Sequence, residues 1–183
     1  MTANPLRQSR VVTSMIAALD VQYADEKQQA TAAAVVFREW SAASSIAEHT
    51  ILCEHVQPYV PGEFFRRELP CLLAVLKETQ SPLEAILIDG FVDLGDRPGL
   101  GRHLWDALAN QTPIIGVAKT AFHGAAPVSI LRGESQSPLF ITTVGIEAAL
   151  AAAYIRQMAG PYRIPDLLRR VDQLARQPNP TPQ

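Results

Sequence analysis

A chain of 183 residues, of which 48% are hydrophobic and 19% charged, has the composition of an ordinary folded protein. It is long enough to bury a core without disulfides or a structural metal, and its composition excludes disorder except at the ends. The net charge of −2 and the pI of about 6.1 exclude a global basic field. Any contact with nucleic acid must therefore come from a local patch.

The candidates for such a patch are basic side chains spread along the chain. They are Arg66, Arg67, Arg97, Arg102, Lys119, Arg132, Arg163, Arg169 and Arg170. The alternative is that they are scattered, solvated charges.

The two cysteines and the N-terminal segment indicate the cellular compartment of the protein. Cys53 and Cys71 have neither the density of a disulfide-rich secreted protein nor the CxxC spacing of a metal site. We expect both to be buried thiols in a reducing environment. The apolar run 11–19 is too short to span a membrane and lacks a signal-peptide cleavage site. The sequence thus predicts a cytoplasmic protein with no membrane partner.

The first part of the chain predicts three strands and then a helix. Apolar, partly β-branched runs at 11–23 and 29–40 are typical of a hairpin, and 45–56 is a third strand. The prolines and glycine of 58–62 predict a loop. Apolar residues then recur at helical spacing over 63–79.

The second part alternates strands and helices before it ends in two helices. The predicted elements are strand 85–88, helix 99–109, strand 113–118, edge strands 128–131 and 139–143, and helices 146–158 and 166–176. This order indicates an α/β fold with a mixed central sheet flanked by helices. We expect one domain over 1–176 and a flexible tail over 177–183.

Three carboxylates lie at positions where a fold of this kind places its functional sites. Asp20 lies in the first strand, Glu68 in the helix after the proline loop, and Asp89 at the tip of the next strand. Their mutual repulsion would be costly without a cation, and hard divalent ions prefer oxygen ligands, which favours Mg²⁺ or Mn²⁺. The alternative is that they are solvated or cap helices.

Several short blocks occur in a defined order around these acids. They are LDVQY at 19–23, PYVPG at 58–62, RELP at 67–70, IDG at 88–90, IGVAK at 115–119 and GPYRIP at 160–165. In this order the blocks resemble the endonuclease V family over about residues 15–176. The PYxPG…RExP and IGVAK blocks are specific to that family, whereas DVxY and DG alone are not.

The resemblance implies a ribonuclease H-like fold and metal-dependent cleavage of a phosphodiester near a deaminated purine, chiefly inosine, in DNA or RNA. The family's metal-binding acids match Asp20, Glu68 and Asp89. Its lysine matches Lys119, which would neutralise charge on the scissile phosphate, although a plain surface lysine is the alternative.

The resemblance also implies a substrate-binding surface. Tyr59 would act as a wedge in a base stack, and the alternative is a loop tyrosine that packs on the domain. The other substrate-binding positions of the family match Pro61, Gly62, Phe64, Gly90, Gly116 and Ala118.

The chain departs from the family pattern after Asp89. The family has Asp-Gly-His-Gly and then His-Pro-Arg-Arg, whereas Phe91 and Gly95 stand in the two histidine positions here, and a third family histidine is missing near residue 145. Asp93 and Asp96 should weaken phosphate binding or add metal ligands.

Two functional interpretations therefore stay open. One is a metal-dependent endonuclease, and the other is a catalytically weak or inactive relative that binds nucleic acid or a protein. A small-molecule enzyme with a phosphate loop is disfavoured, because Walker and GxGxxG spacings are absent.

Overall fold

The structure is a computed structural model that describes residues 14–177. The predicted start of the first strand at residue 11 and the predicted tail beyond residue 177 lie outside the described residues. The strands are β1 (Met15–Ala24), β2 (Gln29–Phe37), β3 (Ala47–Cys53), β4 (Leu83–Asp89), β5 (Asp93–Leu94), β6 (Arg97–Pro98), β7 (Ile114–Ala118), β8 (Val128–Ile130) and β9 (Leu139–Val144). The helices are α1 (Phe65–Leu76), α2 (Leu100–Ala107), α3 (Ala148–Gln157) and α4 (Asp166–Arg176).

A seven-stranded mixed sheet in the order β3-β2-β1-β4-β7-β9-β8 forms the centre of the fold. Strand β1 pairs antiparallel with β2 and parallel with β4, and Leu19 is in register with Ile88. The residues that follow these two, Asp20 and Asp89, therefore reach the same edge of the sheet.

Helices cover both faces of this sheet because side chains alternate along each strand. Ile16 and Ala18 belong to one core cluster, which also contains residues of α3 and α4. Ala17 and Leu19 belong to the other, which also contains residues of α1 and α2. The predicted mixed α/β architecture is confirmed. No helix within residues 14–177 is long and apolar enough to cross a membrane.

The predicted position of one strand was wrong, and one hairpin was not predicted. Strand β8 lies at the sheet edge as expected, but β9, predicted as an edge strand, lies between β7 and β8. The apolar pattern of β9 predicts a strand but not its neighbours in the sheet. Its pairing with β7, such as Ile115 with Thr143, depends on long-range packing. The hairpin of β5 and β6 was not predicted. It turns at Gly95, whose φ of +65° is readily adopted by glycine.

Candidate active site

Three elements bring the predicted acids near one another. Asp20 and Asp89 come from the adjacent parallel strands β1 and β4, and Glu68 comes from the first turn of α1. Glu68 is only 6% exposed, Asp20 is partly buried and Asp89 is exposed. Carboxylates that are buried, and that also feel one another's negative charge, are expensive to ionise.

The pKa values of two of these acids report that cost. Burial, followed by the negative charge of Asp89, raises the pKa of Asp20 from 3.8 to about 7. Burial, followed by the charges of Asp20 and Asp89, raises the pKa of Glu68 from 4.5 to about 8. Without a cation, the cluster therefore holds protons near neutral pH.

Lys119 neutralises the exposed member of the cluster. It follows β7, and its Nζ lies 2.5 Å from Oδ2 of Asp89. The guanidinium of Arg163 donates to the carbonyl oxygens of Lys119 and Pro138, which holds the backbone at Lys119 in place.

The structure adds a fourth carboxylate, Asp172 of α4, to which the sequence analysis gave no role. Hydrogen bonds from Arg176, at 2.9 Å to each carboxylate oxygen, and a further one with Asp20 hold the pKa of Asp172 below its usual value. A weak signal existed in the sequence, because Asp172 directly follows the buried Val171 on an amphipathic helix. Only the packing of α4 against β1 shows that it reaches Asp20.

A cavity of about 190 Å³ opens beside these groups. Its charged lining consists of Asp20, Asp89, Lys119, Arg169, Asp172 and Arg176. Carboxylates that could hold a cation thus face the same space as basic side chains that could hold a phosphate.

The donor chemistry fits a hard divalent cation, although the site is not preformed. Within residues 14–177, no three acidic, histidine or cysteine side chains are arranged to hold a metal as they stand. However, Oε2 of Glu68 is buried without a hydrogen-bond partner, which is costly for a carboxylate. A cation beside Asp20 and Glu68 would satisfy this oxygen and offset the burial and the repulsion that raise both pKa values.

The predicted wedge residue projects from its loop. Tyr59 is 59% exposed, and its ring meets the Phe64 ring edge-on at 6.4 Å. Phe64 in turn lies 6.0 Å from the ring of Tyr23. Pro61 and the turn residue Gly62, with φ of +82°, are exposed in the same loop. An exposed ring backed by aromatic neighbours suits a stacking role, and the wedge function stays a prediction.

The remaining predicted substrate-binding positions lie at the sheet. Gly90 follows β4 with φ of +116°, whereas Gly116 and Ala118 lie inside β7 and Ala118 is buried. A Cβ at Gly116 would stand 2.5 Å from the Gly90 carbonyl oxygen and 2.7 Å from Oγ1 of Thr142. Close packing alone therefore requires glycine at 116. The six positions come from three separate segments, the loop before α1, the residue after β4, and β7, and their role in binding is still a prediction.

The segment that departs from the family pattern is tied down by its own contacts. The Phe91 ring packs on Phe122 at a centroid distance of 5.9 Å. Arg102 donates twice to Asp93, at 2.6 and 3.0 Å, which neutralises that carboxylate. Asp93 is thus already paired within the fold, and the expected effects of Asp93 and Asp96 on phosphate or metal binding stay predictions.

Several of the basic candidates also have intramolecular partners. Arg67 is buried, lies 2.5 Å from Asp25 and covers the ring of Tyr23. Arg132 is buried as well and donates to the carbonyl oxygens of Arg156, Met158, Gly160, Tyr162 and Arg163. These two arginines stabilise the fold and do not belong to an exposed basic patch.

Comparison with known proteins places the chain in a family. The sequence model of the endonuclease V family matches residues 2–146. Endonuclease V of Streptomyces avermitilis is 35% identical over 90% of this chain and 80% of its own length. Endonuclease V of Streptomyces coelicolor is 32% identical over 90% of this chain and 78% of its own length.

Solved structures give the same result. The crystal structure of the Streptomyces avermitilis endonuclease V superposes with a TM-score of 0.71 and 32% identity, covering 90% of this chain and 81% of that one. A Ciona intestinalis endonuclease V, solved with a 24mer DNA containing an inosine followed by a ribo-adenosine, shares the fold with a TM-score of 0.73 and 20% identity, covering 89% and 84%. By its sequence and by its fold, the chain belongs to the endonuclease V family.

Proposed function

We propose that this family member is an endonuclease that uses Mg²⁺ or Mn²⁺ to cleave a phosphodiester near a deaminated purine, such as inosine, in DNA or RNA. The observation that carries the proposal is the buried, unpaired Oε2 of Glu68 beside Asp20 and Asp89. The inosine-containing DNA bound by the Ciona intestinalis relative supports this choice of substrate.

The acids would hold the metal, and Lys119 would act on the phosphate. Asp20, Glu68 and Asp89 supply the ligands, with Asp172 beside Asp20 as a further candidate. Such ions, when bound, activate the attacking water and stabilise the charge of the departing oxygen. Lys119 pairs with Asp89 and lines the cavity, where its ammonium group would bind the scissile phosphate.

Substrate recognition would use the exposed loop and the rim of the cavity. Tyr59 would enter the base stack, and a mispaired deaminated base costs less to extrude than a paired base. Arg169 and Arg176 line the cavity and would contact the backbone phosphates.

One observation favours a second candidate, a relative that binds nucleic acid but cleaves it weakly. The Phe91 ring stands where the family has a histidine, and it packs on Phe122. An apolar ring cannot orient a water molecule, so transition-state stabilisation should suffer more than substrate binding.

The decisive experiment uses labelled single- and double-stranded DNA and RNA with one inosine, and guanosine strands as controls. We expect product ends at a fixed distance from inosine with Mg²⁺ or Mn²⁺, and loss of cleavage in Asp89→Asn but not in the exposed control Asp106→Asn. Salt-sensitive binding without cleavage, together with gain of cleavage in Phe91→His, would establish the second candidate instead. Absence of binding to any strand at low salt would refute both.

A further inference from the structure

The two cysteines, distant in sequence, lie side by side in the fold. Cys53 is the last residue of β3, and Cys71 lies on α1. Both side chains line a cavity of about 410 Å³ between these elements, and each thiol shifts the pKa of the other. The Cys71 thiol donates to the carbonyl oxygen of Arg67 at 3.5 Å. They are the two cysteines of the whole chain, so the fold has paired its full set of thiols.

The two thiols differ in accessibility. Cys71 is only 3% exposed, whereas Cys53 is partly exposed at the end of its strand. The neighbouring Cys71 thiol also holds the pKa of Cys53 below its ordinary value, which favours the thiolate. An oxidant that arrives from solvent therefore meets Cys53 first, with a second thiol next to it.

We propose that Cys53 and Cys71 form a redox modification site that closes to an intramolecular disulfide when a hydroperoxide oxidises the protein. The Cys53 thiolate attacks the peroxide oxygen, the O–O bond breaks, and Cys53 becomes a sulfenic acid while hydroxide or alkoxide departs and takes up a proton. The Cys71 sulfur then attacks the Cys53 sulfur, loses its proton and displaces the sulfenic oxygen as water. The two thiols lose two electrons in total, and the peroxide gains them.

The disulfide would cross-link the two ends of the segment that contains the Tyr59 loop. The segment between the two cysteines comprises this loop and the first turn of α1 with Glu68. Closing it restricts the unfolded chain and should raise the melting temperature by about 5 to 10 °C. The sulfurs must approach to about 2.05 Å, which draws the end of β3 towards α1.

The test uses the purified full chain, treated with hydrogen peroxide, unfolded in the presence of N-ethylmaleimide and weighed by mass spectrometry. We expect a monomer about 2 Da lighter with no maleimide adduct, a tryptic cross-link between the peptides of Cys53 and Cys71, and a higher melting temperature that dithiothreitol reverses. Cys53→Ser and Cys71→Ser are the matched controls, and neither should show the rise.

Three outcomes would overturn the proposal. They are two maleimide adducts after oxidation, dimers joined through either cysteine, and addition of oxygen atoms without the cross-link. An unchanged melting temperature despite the cross-link would refute the inference that the disulfide stabilises the fold. None of these measurements depends on nuclease activity, so they fail or succeed independently of the proposed function.

Discussion

Replacement of Glu68 by Gln should make the metal-free protein more stable at alkaline pH. Glu68 is 6% exposed and its pKa is raised from 4.5 to about 8, chiefly by burial and by the charges of Asp20 and Asp89. At about 1.4 kcal/mol per pH unit, this difference sets an upper limit of about 5 kcal/mol on the cost of ionising Glu68 in the fold. Relaxation and the coupling with Asp20 reduce it, so we expect a gain on the order of 2 kcal/mol.

The pH dependence gives the prediction its sign. The folded protein holds the Glu68 proton more tightly than the unfolded chain does. The contribution of the protonated Glu68 to the free energy of unfolding is therefore complete below pH 4.5. The contribution falls as the pH rises and is lost above about pH 8. Since Gln does not titrate, the variant should differ little from the parent at pH 4.5 and exceed it at pH 9.

Urea unfolding in EDTA, followed by circular dichroism at pH 5 and pH 9, measures this difference. Glu78→Gln, at an exposed position just after α1, is the control and should match the parent at both values. Added Mn²⁺ should reverse the order at pH 9, because it stabilises only the protein that retains the carboxylate. A variant that is equally or less stable than the parent at pH 9 in EDTA would refute the reasoning.

Three further changes test other parts of the structure. Gly116→Ala should cost about 1–3 kcal/mol in chemical unfolding, because the new Cβ meets the Gly90 carbonyl oxygen at 2.5 Å, and an unchanged midpoint would contradict this packing. Arg132→Met should cost about 3 kcal/mol or more by the same measurement, since five carbonyl oxygens lose a charged donor. Tyr59→Ala should change stability by less than about 0.5 kcal/mol, but weaken binding of an inosine strand about tenfold in fluorescence anisotropy. Equal binding would exclude the wedge.

The sequence predicted those elements whose signal is local. Helix α4 begins and ends at the predicted residues 166 and 176, because its apolar positions recur at helical spacing after Pro165. The end of β2 was less well predicted. Trp40 continues the apolar run but lies beyond the strand, where it stacks on Tyr154 at 4.6 Å. A hydrophobic residue reports burial and not the element in which it lies.

The site was predictable only as a set of residue types. The motifs identified Asp20, Glu68 and Asp89, but not the ion pair of Asp89 with Lys119, which needs the neighbouring strands β4 and β7. The role of Asp172 depends on how α4 packs on β1, which no local pattern contains. The same limit hid the contact of the two cysteines, one of which was wrongly expected to be buried.

The cavity beside Asp20 can form only late in the synthesis of the chain. Its lining runs from Leu19 in β1 to Arg176 in α4, so its walls come from nearly opposite ends of the described chain. A growing polypeptide cannot close this cavity until α4 has left the ribosome, however early β1 and β4 pair. If the cavity is where nucleic acid is cut, a nascent chain that stops before α4 lacks part of the wall of that site.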